Sequence, residues 1–216
     1  MRSLSKGLRK CLPRRWWIGP LRAVAGLAGL LALGCAALAI DSEMGEAAAI
    51  RELQKGGAVV YLRHAARVGG ARDNLSANST AAEFADCSTQ RDLTPEGRAQ
   101  ARALGEYWRK LAIPVARVIA GAQCRTRDTA ILAFGAAQLE PWLFDLDFVR
   151  NLLLQSAPEH ENIVIVASDS QLRDLTGIEL NYAEAAVVKP DGKGGITILA
   201  RLDLDDWANA AEPSWW

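Results

Sequence analysis

The sequence predicts an α/β fold: a three-layer α/β/α sandwich with a mostly parallel central sheet and an antiparallel C-terminal hairpin. Three observations carry this. Short apolar, β-branched runs ("AVVYLR", "ARVIAG", "IVIVA") recur along the chain, each bounded by polar or glycine-rich turns, as buried strands are. Helical segments alternate with them, which places parallel strands between two helical layers. Finally, "AEAAVVKPDGKGGITILARLD" reads as two strands joined around "PDGKGG", a hairpin that adds an antiparallel edge.

The first segment stands apart from this fold. Residues 1–40 hold Arg2, Lys6, Arg9, Lys10, Arg14, Arg15 and Arg22, no acidic residue, and a closing apolar run from Ala23 to Ile40. A basic start followed by an apolar stretch is the pattern of an export signal. Ala37-Leu38-Ala39 supplies small residues for cleavage, while the apolar run is also long enough for an uncleaved membrane anchor. The domains expected are an export signal or anchor over 1–40 and one globular domain over 41–216, facing the periplasm or another extracytoplasmic space. The membrane is touched only through the N-terminal segment.

The whole chain carries 25 basic and 25 acidic residues, and without residues 1–40 the balance becomes 18 basic against 25 acidic. An acidic domain is a poor match for the phosphate backbone of nucleic acid. Cys87 and Cys124 are the two cysteines of the domain; they form a disulfide in an oxidising compartment or remain as two buried thiols. Two histidines and two cysteines in no recognisable cluster give no support for a metal, and no cofactor is implied.

In chain order, "EMGEAAAIRELQKGG" reads as a leading helix, and "AVVYLR" as the first strand. A long loop is expected from Ala65 to Asp92, and loops of that length are commonly functional. Thr94 as N-cap, Pro95 at the first position and Leu104, Tyr107, Trp108 and Leu111 on one face define an amphipathic helix. "ARVIAG" is the second strand, followed by a helix over "CRTRDTAILAFG" that ends at Gly135. "EPWLF" is expected as a third strand and "DFVRNLLLQ" as a short helix capped by Asp147. "IVIVA" then runs into Ser168 and Asp169, with a helix starting near Gln171.

The chemistry is expected where strands end, because ligands of open α/β sheets bind outside their carboxyl edge. "YLRHAAR" places Arg63 and His64 at one such end with Arg67 three residues on. "LTPEGRAQARALG", then "CRTRDTA" directly after the second strand, then a strand leading into "DLTG" follow in order. Together these resemble the histidine phosphatase superfamily, which includes phosphoglycerate mutases and histidine acid phosphatases, over most of the chain from about Ala58. The resemblance implies phosphoryl transfer with His64 attacking phosphorus and Arg63, Arg67 and Arg125 binding the phosphate. The partner implied is a small phosphorylated substrate or phosphate itself.

A neutral imidazole offers one lone pair for attack when an acceptor holds its other nitrogen. Guanidiniums around it neutralise the phosphoryl group and bond its oxygens in a fork. The resemblance also aligns Ser168 with the family's second histidine. Ser168 is then a replacement phosphate donor, and Asp169 is either the acid for the leaving group or a helix cap. Arg98 and Arg127 are expected to face solvent. A hydrolase of phosphomonoesters is one outcome; a catalytically inactive phosphate-binding protein is the other.

Overall fold

A computed structural model describes residues 44–212; the segment expected as a signal or anchor lies outside the described residues. Helix α1 (Glu46–Lys55) leads into strand β1 (Val59–Arg63). A short helix, α2 (Ala81–Ala85), precedes the long α3 (Pro95–Lys110). Strand β2 (Val115–Gly121), α4 (Cys124–Phe134), β3 (Gln138–Glu140) and α5 (Leu146–Leu153) follow. Strand β4 (Asn162–Ala167), α6 (Asp169–Thr176), the hairpin β5 (Ala185–Pro190) and β6 (Ile196–Leu202), and α7 (Leu204–Ala211) complete it.

The sheet order is β3-β2-β4-β1-β5-β6. Strands β3, β2, β4 and β1 are parallel, and β5 and β6 add the antiparallel edge. Two apolar cores lie on opposite faces, and the two-residue period of the strands divides them. Val60, Leu62, Val164 and Val166 pack with Leu53 of α1, Leu104 and Trp108 of α3 and Trp207 of α7. Val59, Tyr61, Ile163 and Ile165 pack with Val149 and Leu153 of α5 and Leu172 of α6. This confirms the three-layer sandwich, and β4 is buried along its whole length because helices cover both its faces.

Helix α3 starts as the sequence indicates: Thr94 accepts the Gly97 N–H and Pro95 occupies the first turn. Two of its glycines allow close approach. A Cβ on Gly97 would lie 1.9 Å from the Ala66 oxygen, and one on Gly105 would lie 2.0 Å from the Ala133 oxygen. The first docks α3 on the segment after β1, and the second docks it on α4.

Four local expectations are corrected. The Ala65 to Asp92 stretch is not loop throughout: Thr80 and Glu83 form a capping box that starts α2, and residues Cys87–Thr89 form a 3₁₀ turn. The third strand is Gln138–Glu140, while Pro141–Phe144 is a 3₁₀ helix; proline, which lacks the N–H a ladder needs, suits the first turn of a helix. Asp145, not Asp147, caps α5, accepting from the Phe148 N–H. Helix α6 begins at Asp169 with Ser168 as its N-cap residue, two residues earlier than expected, so Asp169 is not the cap.

Candidate active site

The carboxyl ends of β1 and β4 are adjacent and in register, Arg63 opposite Ala167. His64 follows directly, its backbone N–H donating to the Ala167 carbonyl at 3.0 Å. The next residue ties this turn to α4: the Ala65 N–H donates to Thr129 Oγ1 at 3.1 Å, and that hydroxyl donates to the Arg125 carbonyl at 2.7 Å. Backbone bonds thus mount the His64 turn on both neighbouring elements.

The imidazole is buried, with 3% exposure. Its Nδ1 lies 2.8 Å from the Ala65 carbonyl and its Nε2 lies 3.2 Å from Arg125 Nε. A carbonyl can only accept and a guanidinium can only donate, so Nδ1 carries the proton and Nε2 keeps its lone pair. Burial, then the Arg125 charge, pull the imidazole pKa down to about 3, against a smaller upward effect of the Ala65 carbonyl. The ring is neutral at physiological pH with Nε2 turned toward Arg125.

Arg125 stands in the first turn of α4 and is buried. Besides His64, it donates through Nη2 to Ser168 Oγ at 3.3 Å and pairs through Nη1 with Asp73. Burial lowers its pKa, and the Asp73 carboxylate counteracts that. The anion that such a first-turn cation requires is therefore supplied by the protein itself. Asp73 also accepts from the Arg91 backbone N–H at 2.7 Å and from Arg91 Nε at 3.3 Å. Although its burial favours the neutral acid, the Arg91 backbone N–H, the Arg125 charge and the Arg91 side chain hold the Asp73 carboxyl below the usual carboxylate range.

A cavity of about 540 Å³ brings together Arg63, His64, Arg67, Arg125, Ser168 and Asp169, all six residues expected from the sequence. Arg72, Asp73, Arg91 and Arg173 also line it. Arg63 is held rigidly: its guanidinium carbon lies 4.3 Å from the centre of the Tyr182 ring, and Nη1 donates to the Leu180 carbonyl. Its Nε is buried without a hydrogen-bond partner among the described residues. Arg67 donates to the Val68 carbonyl at 2.9 Å. The Ser168 carbonyl accepts the buried Tyr61 hydroxyl at 2.5 Å, while its own hydroxyl does not cap α6.

Asp169 is engaged at both oxygens. Oδ1 accepts from the Leu180 N–H at 2.8 Å and Oδ2 pairs with Arg173 at 3.1 Å. Arg98 and Arg127 do not simply face solvent: Arg98 bridges Asp92 and Asp128, and Arg127 pairs with Asp128. Cys87 and Cys124 are joined in a disulfide, their Cα atoms 5.7 Å apart. That bond fastens the far end of the 65–92 segment to the first residue of α4, next to Arg125. His160 lies in the turn before β4, its backbone against Gly56, away from the cavity.

Asp73 and Arg91 are the functional candidates that sequence reading missed. Both lie in the 65–92 segment, where no periodicity or motif marks a residue; the signal available was only that the segment is long and that Arg125 needs an anion. Among the described residues, no group of three or more His, Cys, Asp or Glu is placed to hold a metal ion.

Residues 75–147 match the model of the histidine phosphatase superfamily (branch 1). Over that stretch the chain is similar to the histidine phosphatases. The matched stretch contains Arg91 and Arg125, whereas Arg63, His64, Ser168 and Asp169 flank it. No curated protein matches the chain. Among solved structures, it is similar to the protein histidine phosphatase SixA complexed with tungstate, at 15% identity, covering 69% of this chain and 98% of that one with a TM-score of 0.48. A phosphoserine phosphatase from Entamoeba histolytica in complex with phosphoserine is 10% identical over 69% of this chain and 98% of its own, with a TM-score of 0.46. The Rv3214 protein of Mycobacterium tuberculosis is 16% identical over 66% and 95%, also with a TM-score of 0.46.

Proposed function

We propose that this protein is an exported phosphohydrolase that removes phosphate from a phosphomonoester through a phosphohistidine at His64. The observation that carries the reading is the His64–Arg125 pair: a neutral, buried imidazole with its Nε2 lone pair beside a guanidinium 3.2 Å away. Once the Arg125 Nε–H turns from Nε2 to an incoming phosphoryl oxygen, that lone pair can attack phosphorus in line while Arg125 and Arg63 take charge from the equatorial oxygens. The Nε2–P bond forms as the ester oxygen leaves; water then breaks that bond and releases phosphate. Arg67 lines the same cavity and adds a further cation for that anion.

Ser168 takes the place of the family's second histidine in this reading. Its hydroxyl, free of capping duty and 3.3 Å from Arg125 Nη2, donates to a phosphoryl oxygen. One weaker donor in a transition state lowers the rate by roughly 10²–10³. Asp169 is the acid assigned to the leaving oxygen, and it must give up one of its two present partners to act. The export part rests on the basic-then-apolar pattern of residues 1–40 and on a disulfide of the kind that persists in oxidising compartments.

One observation favours a second reading, a catalytically inactive phosphate receptor. Both Asp169 oxygens are occupied by Leu180 and Arg173, which leaves the leaving group without a ready proton. The two readings separate on leaving group and on His64. The hydrolase releases phosphate from an activated aryl phosphate, which needs no acid, faster than from an alkyl phosphate, and His64→Ala stops both. A receptor leaves every phosphoester intact, yet inorganic phosphate or vanadate still raises its Tm. Ser168→His tests the donor: turnover rises by about 10² if Ser168 stands where the histidine would act, and does not change if it stands elsewhere.

A further inference from the structure

Arg91, Arg125 and Arg173 each face a carboxylate in the cavity; Arg63 is held differently. Among the described residues its guanidinium pairs with no carboxylate and makes one hydrogen bond, from Nη1 to the Leu180 carbonyl, while Nε has no partner. What faces the cation instead is the ring of Tyr182, its centre 4.3 Å from the guanidinium carbon. The same ring packs beside His64, the two ring centres 5.6 Å apart and the planes tilted by 38°. The turn that presents Tyr182, residues 180–184 between α6 and β5, is tied to the site at three points. The Ala183 N–H donates to the His64 carbonyl at 3.3 Å, the Glu184 carbonyl accepts the Arg63 N–H at 3.0 Å, and the Leu180 N–H donates to Asp169 Oδ1 at 2.8 Å. Ala183 takes a φ of 59°, a left-handed conformation that residues other than glycine adopt rarely and that persists where surrounding contacts impose it.

We propose that Tyr182 is a positioning residue, whose ring holds the Arg63 guanidinium ready for a phosphoryl oxygen through a cation–π contact. The proposal rests on the phosphate-site reading above. The Leu180 carbonyl alone would leave the guanidinium free to pivot about a single hydrogen bond. An aromatic face attracts the cation through its quadrupole and adds no negative charge. A carboxylate in that place would hold Arg63 as firmly, but it would offset the charge that an anion is to meet. The ring therefore fixes the cation and leaves its charge to the ligand. The rotamer freedom of a long side chain is then lost on folding and not on binding, which favours affinity. Tyr182 forms no part of the cavity wall, so it acts through Arg63.

The probe is inorganic phosphate, its Kd measured calorimetrically on the full chain. Wild type is compared with Tyr182→Phe, Tyr182→Leu, Arg63→Met and the double variant of Arg63→Met with Tyr182→Leu. Phenylalanine keeps the aromatic face, and that variant binds as wild type does. Leucine keeps apolar bulk without the face and raises Kd about fivefold, the scale of one cation–π contact. In the Arg63→Met background the same leucine changes Kd by less than about twofold, because the group it positions is gone. A general loosening of the turn would instead weaken binding equally in both backgrounds, and that result overturns the proposal. So does a leucine variant that binds as well as wild type, a phenylalanine variant as weak as the leucine one, or an Arg63→Met chain that binds phosphate undiminished. In each of these cases wild type still binds phosphate and the phosphate-site reading stands. If wild type binds none, that reading falls and the proposal falls with it.

Discussion

At the scale of single residues, the site is built from a few groups whose protonation follows from where they sit. His64 is neutral because it is buried beside Arg125 and because its Nδ1–H has a carbonyl to donate to. This has a thermodynamic consequence with a definite sign. The imidazole pKa is about 3 in the folded protein and about 6.5 when unfolded, so between these values the unfolded chain binds more protons. Stability is then fully present above pH ~6.5 and is lost as the pH falls toward 3, with a slope of at most about 1.4 kcal/mol per pH unit from this group. Urea unfolding of wild type and His64→Gln at several pH values isolates it: the difference between the two shrinks on acidification in that window. A pH-independent difference would mean that His64 is protonated in the fold. Position along the chain marked Arg63, His64 and Arg125, because they end or follow strands that periodicity identifies. Asp73 and Arg91 carried no such mark, since only tertiary folding brings the 65–92 segment onto Arg125.

At the scale of elements, strand ends and helix starts position the chemistry, and most of them were legible. Thr94-Pro95 for α3, Gly135 after α4 and the β-branched runs of β1, β2 and β4 each carry a local signal strong enough to survive packing. Errors arose where two signals of similar strength compete. Asp145 and Asp147 both suit a helix start, and the chain uses Asp145 because its side chain reaches the Phe148 N–H. Pro141 ended the third strand that "EPWLF" was expected to form. The capping box of Thr80 and Glu83 was present in the sequence, but five residues of helix leave too little apolar pattern to support it. The disulfide is the covalent tie among the contacts that hold the 65–92 segment against α4. Replacing Cys87 and Cys124 by serine opens a loop of 37 residues and should cost about 3–4 kcal/mol of unfolding free energy. Urea denaturation measures it, and a loss below about 1 kcal/mol would show that packing alone fixes the segment.

At the scale of the whole molecule, the fold class and its layers were readable because alternation of strand and helix admits few arrangements, and the sheet order β3-β2-β4-β1-β5-β6 is one of them. For function, the sequence supported a proposed phosphate site and nothing further, because Asp73 and Arg91, which line the same cavity, lie in a segment without pattern. The export assignment concerns the chain as a whole: residues 1–40 fused to a reporter enzyme that is active only outside the cytoplasm should give activity, and Arg-to-Glu changes in the basic stretch should abolish it. The central claim is that His64 Nε2 attacks phosphorus. Rapid acid-free quenching of the full chain with an activated aryl phosphate, followed by mass spectrometry of the peptides, tests it most directly. One phosphoryl group is expected on the His64 peptide and none on that of His64→Ala; phosphate release without that adduct, or an adduct on another residue, rules the attack by His64 out.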